Sequence, residues 1–227
     1  MRILLVGHGR MGQLVESLAP EYGCEVAGVV DSRSPVDAGG DDRWGPVDVA
    51  IDFSSPIAVA ANVPALARRG INLVVGTTGW QQDEPAVRAV VEQSGVGIVA
   101  AANFSTGVVI LEALVAQAAG LFERHEEFGA WIHESHHAAK KDAPSGTALM
   151  LKRAMTHAGF TRPIDVSCTR AGHIPGAHTV GFDGPAESIA LSHTARDRSA
   201  FARGALVAAR WVKGQRGWFT MKDVLGV

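Results

Sequence analysis

The chain has 227 residues, 47% hydrophobic and 19% charged, with a formal net charge of −2. That length can bury a full core in one large domain or two small ones, and the near-zero charge gives no reason to expect a nucleic-acid or acidic-membrane partner. No uninterrupted apolar stretch is long enough to span a membrane, the run Met1–Val6 stops at Gly7 with no cleavage site after it, and Cys24 and Cys168 show no paired spacing, so a cytoplasmic protein with reduced thiols is expected.

The first half reads as strand, turn and helix, repeated. Ile3–Val6 is a short apolar run of the kind a strand buried on both faces shows. A helix is expected from about Met11 to Ala19, and strands at Glu25–Val30 and Val47–Phe53. Pro56–Arg69 looks helical, with Pro64 as a kink or break. Strand Ile71–Val75, helix Glu84–Gln93 and strand Val96–Ala100 follow, while the segment from Ser34 to Gly45 is expected to hold no full helix. Strands alternating with helices imply right-handed crossovers and a parallel sheet whose ligand crevice lies at the carboxyl ends of the strands.

Gly7-His8-Gly9-Arg10-Met11-Gly12 fits G-x-G-x-x-G, directly after a strand and opening a helix. The first glycine makes the tight turn, the second lets backbone approach a pyrophosphate, and the third lets helix and strand pack closely. Asp31 ends the second strand, where a carboxylate can bind ribose hydroxyls. Motif, strand, helix and acid together make a dinucleotide site more credible than an ordinary glycine turn. Arg33, two residues on, can pair with a 2′-phosphate or simply lie in solvent. One flexible arginine against a fixed carboxylate predicts a modest preference for NADH, with NADPH usable.

The second half has another rhythm. A helical stretch, Val108–Phe122, precedes strands at Ala130–His133, Val166–Arg170, His178–Phe182 and Ser188–His193, the last two joined around Asp183-Gly184 as a hairpin. A helix resumes at Phe201–Val212. The expected architecture is α/β: a Rossmann-type domain of residues 1–103 and 198–227, with an inserted α+β domain of residues 104–197. Between strand and helix lies the segment from Glu134 to Ala148, rich in imidazole and ammonium groups. Pro144, Ser145 and Thr147 suit a helix start, and exposed N–H groups at Gly146 and Thr147 can bind a carboxylate with charge from His137 and Lys140. A titratable His and Lys can protonate a carbon–nitrogen system under reduction; the plainer alternative is a basic helix-capping loop. His133, His136 and His137 raise the question of zinc, but no carboxylate or thiolate stands at convincing ligand spacing and the lysines would repel the cation, so no metal is expected.

The string His136-His137-x-x-Lys140-x-Asp142-Ala143-Pro144-Ser145-Gly146-Thr147-Ala148 resembles the signature of the dihydrodipicolinate reductase family without a gap. Gly76-Thr77-Thr78-Gly79, Ala102-Asn103-Phe104-Ser105, Arg170-Ala171-Gly172 and Gly176-x-His178-Thr179 resemble further family segments, so the likeness spans nearly the whole chain. The resemblance implies reduction of 4-hydroxy-tetrahydrodipicolinate, a small dicarboxylated cyclic imine, in lysine and diaminopimelate biosynthesis, by a homotetramer in which residues 104–197 form the substrate-binding and oligomerisation domain. It implies His136 as acid–base group, Lys140 as proton donor, and His137, Gly146 and Thr147 as substrate contacts. Cofactor contacts are implied at Gly7, His8, Gly9, Arg10, Met11, Gly12, Asp31, Gly76, Thr77, Thr78, Ala101, Ala102, Asn103 and Phe104. The chain departs from the family by a shorter segment between Ser34 and Gly45, by Ser135 before the paired histidines and by His173. Two other readings compete: a regulatory protein sensing the NADH/NAD ratio without turnover, which leaves the His136–Thr147 string unexplained, and an aspartate- or homoserine-type dehydrogenase, which the paired histidines and the Ser145-Gly146-Thr147 helix start argue against.

Overall fold

The computed structural model describes residues 1–31, 36 and 43–227. They form two compact units: Met1–Thr106 with Ser199–Val227, and Gly107–Arg198. The first break falls a little later than the sequence predicts. Phe104 is buried in the first unit, edge-on to Phe53, and its carbonyl lies against Gly204, where a Cβ would sit 1.7 Å from the oxygen.

The first unit holds strands β1 (Arg2–Val6), β2 (Glu25–Val30), β3 (Val49–Asp52), β4 (Asn72–Val75), β5 (Gly97–Ala100) and β10 (Gly217–Phe219) in the order β10-β5-β4-β3-β1-β2, all parallel. Helices α1 (Arg10–Leu18), α2 (Pro56–Arg68) and α3 (Glu84–Ser94) are the crossovers, and α6 (Ser199–Val212) brings the chain back. Leu4, Val6, Leu73 and Ile98 sit in a core with Val59, Val63 and Leu66 of α2, which is why the strands read as continuous apolar runs. This is the expected Rossmann-type sheet. The chain passes from β1 to β2 on one side and to β3 on the other, so the switch in strand order lies between β1 and β3, where such sheets open a crevice.

Of the kink or break expected at Pro64 the break does not occur: helix α2 runs through it without ending, because Val59, Val63, Pro64, Leu66 and Ala67 are all buried and packing outweighs the lost backbone bond. Strand β10 and the short helix α7 (Met221–Leu225) were not predicted; β10 is only three residues long, too short for a periodic signal. The expectation for the segment from Ser34 to Gly45 falls largely on residues outside those described.

The second unit is a mixed sheet ordered β7-β6-β8-β9, from β6 (Gly129–His136), β7 (Ile164–Arg170), β8 (Ala177–Asp183) and β9 (Ser188–Thr194). Strand β7 pairs parallel to β6, and β8 and β9 follow antiparallel, the predicted hairpin included. Helices α4 (Thr106–Phe122) and α5 (Gly146–His157) supply Leu111, Val115, Leu151 and Met155 to a core with Ala130, Ile132, Val180 and Phe182. Strand β6 runs three residues past its expected end. Its period-two alternation therefore continues, and the face that buries Ala130 and Ile132 also buries Glu134 and His136.

Candidate active site

In the first unit the glycine loop has the geometry its sequence predicts. Gly7 has φ +89°, and a Cβ on it would lie 2.5 Å from the Phe53 carbonyl, so only glycine lets β1 turn this close to the end of β3. A Cβ on Gly12 would lie 2.2 Å from the Gly7 carbonyl, which is the close helix–strand approach required of the third glycine. Gly9 is the N-cap of α1 without a side-chain cap, and nothing lies within 4 Å of where its Cβ would be. That open space is the cradle a pyrophosphate needs, with the first-turn amides of α1 around it. The Gly7 amide donates to the Val30 carbonyl at 2.7 Å, which ties the loop to the end of β2, directly before half-buried Asp31. Arg10 is exposed, and the His8 ring pairs with Glu16 at 2.7 Å. Arg33 lies outside the described residues.

A cavity of about 460 Å³ opens over this cradle, bounded by Gly9, Met11, Phe53, Ser54, Gly76 and Thr78. The sequence reading missed Phe53 and Ser54. Their position is set by Asp52, wholly buried at the end of β3, whose Oδ1 accepts from the Ser54 amide and hydroxyl at 2.9 and 2.7 Å and from the Thr77 hydroxyl at 2.7 Å. Burial pushes the Asp52 carboxyl up, against the pull of its Ser54 and Thr77 donors. This carboxyl couples the loop after β3 to the loop after β4, and Trp80 pins the latter by donating Nε1–H to the Thr77 carbonyl at 2.7 Å. Ala101 to Phe104 follow β5, with the Ala101 amide donating to Val75 at 3.1 Å and Asn103 Oδ1 accepting from the Ser105 amide at 2.9 Å. The predicted positions of this unit that are described thus stand at the carboxyl ends of β1, β2, β4 and β5, and the residues fit a dinucleotide.

In the second unit the candidate residues gather around Glu134, a group not singled out from sequence. Its carboxylate is wholly buried. Oε1 accepts from Arg170 Nη2 at 2.6 Å and from the Ser145 amide at 3.1 Å, and Oε2 meets His136 Nδ1 in a very short contact. Burial pushes this carboxyl up, but hydrogen bonds from Arg170, the Cys168 side chain and the Ser145 amide, with the charge of His136, outweigh burial and hold it at about 2. Burial lowers the His136 imidazole, against the opposing pull of Glu134. The His178 ring lies 5.0 Å from that of His136, with Nε2 3.1 Å from the Ser145 hydroxyl, and burial and the charge of His136 hold it at about 4.

Ser145 caps α5: its hydroxyl accepts from the Ala148 amide at 3.2 Å. With the Ser145 and Ala148 amides engaged, those of Gly146 and Thr147 are the first-turn donors without a partner among the described residues. His137 follows β6 directly, and Lys140 leaves the turn after it to pair with both oxygens of Asp142 at 2.7 and 2.9 Å. His133 points to the opposite sheet face, where it bonds Ser167, so the three histidines weighed for zinc do not converge. The donors that do converge are Glu134, His136 and His178, within 4.8 Å of one another. The carboxylate missing from the sequence argument is therefore present, but its Oε1 already serves a guanidinium and an amide.

Residues 1–104 match the model of the dihydrodipicolinate reductase N-terminus and residues 107–225 that of its C-terminus. The 4-hydroxy-tetrahydrodipicolinate reductase of Christiangramia forsetii is 34% identical over 236 residues, covering 99% of this chain and 98% of its own. That of Rhodopseudomonas palustris strain TIE-1 is 37% identical over 274 residues, covering 100% and 98%, so it carries segments absent from these 227 residues. The dipicolinate-bound dihydrodipicolinate reductase from Paenisporosarcina sp. TG-14 shares the fold, with a TM-score of 0.81 at 20% identity over 98% of both chains. With both family models and full-length relatives in agreement, the chain belongs to the dihydrodipicolinate reductase family.

Proposed function

We propose that this protein reduces 4-hydroxy-tetrahydrodipicolinate with NADH or NADPH and a proton, giving tetrahydrodipicolinate, water and the oxidised cofactor, as a step of lysine and diaminopimelate biosynthesis. The observation that carries the reading is the segment from His136 to Thr147. It sets an imidazole, an ammonium and two unengaged helix-terminal amides in one short stretch beside a buried carboxylate. A dicarboxylated imine asks for cationic and N–H partners, and becomes electrophilic when protonated. Gly146 and Thr147 receive a carboxylate at the α5 N-terminus, with His137 beside it, and Lys140 and His136 hold and move the protons. The Paenisporosarcina relative of the same fold binds dipicolinate, a planar dicarboxylate, which is consistent with this chemistry.

Gly7 to Gly12, Asp31, Gly76 to Thr78 and Ala101 to Phe104 hold the cofactor; Arg33 stands with them in sequence. A bound nicotinamide supplies hydride. Asp31 receives the ribose hydroxyls and disfavours a 2′-phosphate, which supports a modest NADH preference. The inserted unit is the substrate and assembly domain. On the sheet face away from α4 and α5, Trp131 lies over Gly181 among His133, Ser135 and Thr179, a continuous surface suited to a homotetramer. The reading includes a cytoplasmic location; among the described residues no helix is long and apolar enough to cross a membrane.

The test is steady-state oxidation of NADH and NADPH with freshly generated 4-hydroxy-tetrahydrodipicolinate, with pyridine-2,6-dicarboxylate as competitor. Turnover with both cofactors and competitive inhibition are expected. Cofactor binding without turnover would favour the regulatory reading.

A further inference from the structure

We infer that Glu134 is the positioning residue of this site: it fixes His136 in the tautomer that carries its proton on Nδ1 and leaves Nε2 bare for proton exchange. The inference rests on the assignment of His136 to proton handling. A wholly buried carboxylate with an arginine on it is ionised and can only accept, so the nitrogen facing Oε2 must carry the hydrogen. The other ring nitrogen is then the exchanging one, and its surroundings agree. Gly176 has φ +137°, and a Cβ there would stand 3.1 Å from His136 Nε2, so any side chain at that position would crowd the bare nitrogen.

The groups around His136 act together. From β6 comes Glu134, from β7 Arg170, from β8 His178 with His193 of β9 acting on it, and from the following loop Lys140 with its partner Asp142. Burial, Lys140 and Arg170 favour the neutral ring, and Glu134 opposes them. Arg170 also donates to the Asp142 carbonyl at 2.6 Å, so one guanidinium ties the carboxylate that holds His136 to the loop that carries Lys140. Through the Ser145 amide the same carboxylate holds the start of α5. One side chain thus registers the acid–base histidine and the helix terminus offered to the substrate carboxylate.

Glu134→Gln tests this sharply. Arg170 and the Ser145 amide are both donors, so the glutamine oxygen must stay on their side and its NH₂ must face His136. Nδ1 then becomes the acceptor, and the neutral ring must carry its proton on Nε2. In ¹⁵N spectra of histidine-labelled protein without substrate, wild-type His136 is expected as the Nδ1–H tautomer and the variant as Nε2–H. The variant's kcat is expected to fall at least about 100-fold, within the range of general acid–base effects, with KM for the cofactor little changed and the pH profile of kcat/KM altered on the limb that follows His136. Wild-type His136 as Nε2–H overturns the inference, and that spectrum decides even if the variant does not fold. An unchanged tautomer in a folded variant, or an inverted one with kcat within threefold of wild type, also overturns it. Absence of turnover in the wild type sinks the proposed function instead, and leaves the tautomer to be judged by the spectra.

Discussion

Lowering the pH from 7 to 4 should destabilise the second unit, in large part through His178, and removing that imidazole should remove its share of the effect. The ring is 5% exposed, and its buried Nδ1 has no partner within the described residues. Burial lowers it from an ordinary 6.5 to about 4, with the charge of His136 adding to the effect. The folded value lies below the unfolded one, so the stabilisation is fully present above about pH 6.5 and is lost as pH falls towards 4, because the unfolded chain takes up a proton that the folded one refuses. At about 1.4 kcal/mol per pH unit the gap amounts to about 3 kcal/mol, a large part of the stability of an ordinary domain. Burial lowers His136 and His193 as well, so the wild-type curve contains their contributions with the same sign. The comparison with His178→Gln isolates this ring. Urea unfolding followed by circular dichroism at half-unit steps between pH 4 and 7 should give a steeper curve for wild type than for the variant, the two differing by about 3 kcal/mol over the range. Parallel curves would refute the reasoning.

Lys140→Ala should lower kcat by about 10²–10⁴-fold, as expected for loss of a general acid, and should weaken cofactor binding far less; near-wild-type kcat would remove Lys140 from the role. Gly12→Ala places a Cβ 2.2 Å from the Gly7 carbonyl, so the loop must shift, and Kd for NADH measured by fluorescence titration should rise at least tenfold, about 1.4 kcal/mol; an unchanged Kd would show that the cradle tolerates the shift. Comparing kcat/KM for the two cofactors, Asp31→Ala should move preference towards NADPH and Arg33→Ala towards NADH. A wild type that favours NADPH more than tenfold would show the carboxylate to be the weaker influence.

The first unit was legible because its signals are local. A glycine loop, an acid at the end of the next strand and short apolar runs each report on their own few residues, and strands alternating with helices imply a parallel sheet; the strand order itself is a tertiary outcome that these signals do not carry. Pro64 does not break α2 for the opposite reason: its tolerance is decided by buried neighbours along the helix, which local propensity does not register. In the second unit the His136–Thr147 string was visible, but its organising carboxylate was not. Glu134 becomes a buried partner of His136 only if β6 is continued to His136, and period-two burial along Ala130, Ile132, Glu134 and His136 was the signal that could have found it. Arg170 and His178 reach the same point through pairing with β7 and β8, whose register is a tertiary outcome. Of the three histidines clustered in sequence only His136 belongs to the converging donors, because His133 lies on the other face of β6 and His178 arrives from β8.

The most direct test of the central claim is a stoichiometric turnover with cofactor deuterated at the transferable nicotinamide position. This account predicts one tetrahydrodipicolinate formed per NADH or NADPH consumed, with the deuterium in the product ring. Cofactor oxidation without labelled tetrahydrodipicolinate, or no oxidation in the presence of authentic substrate, would contradict it.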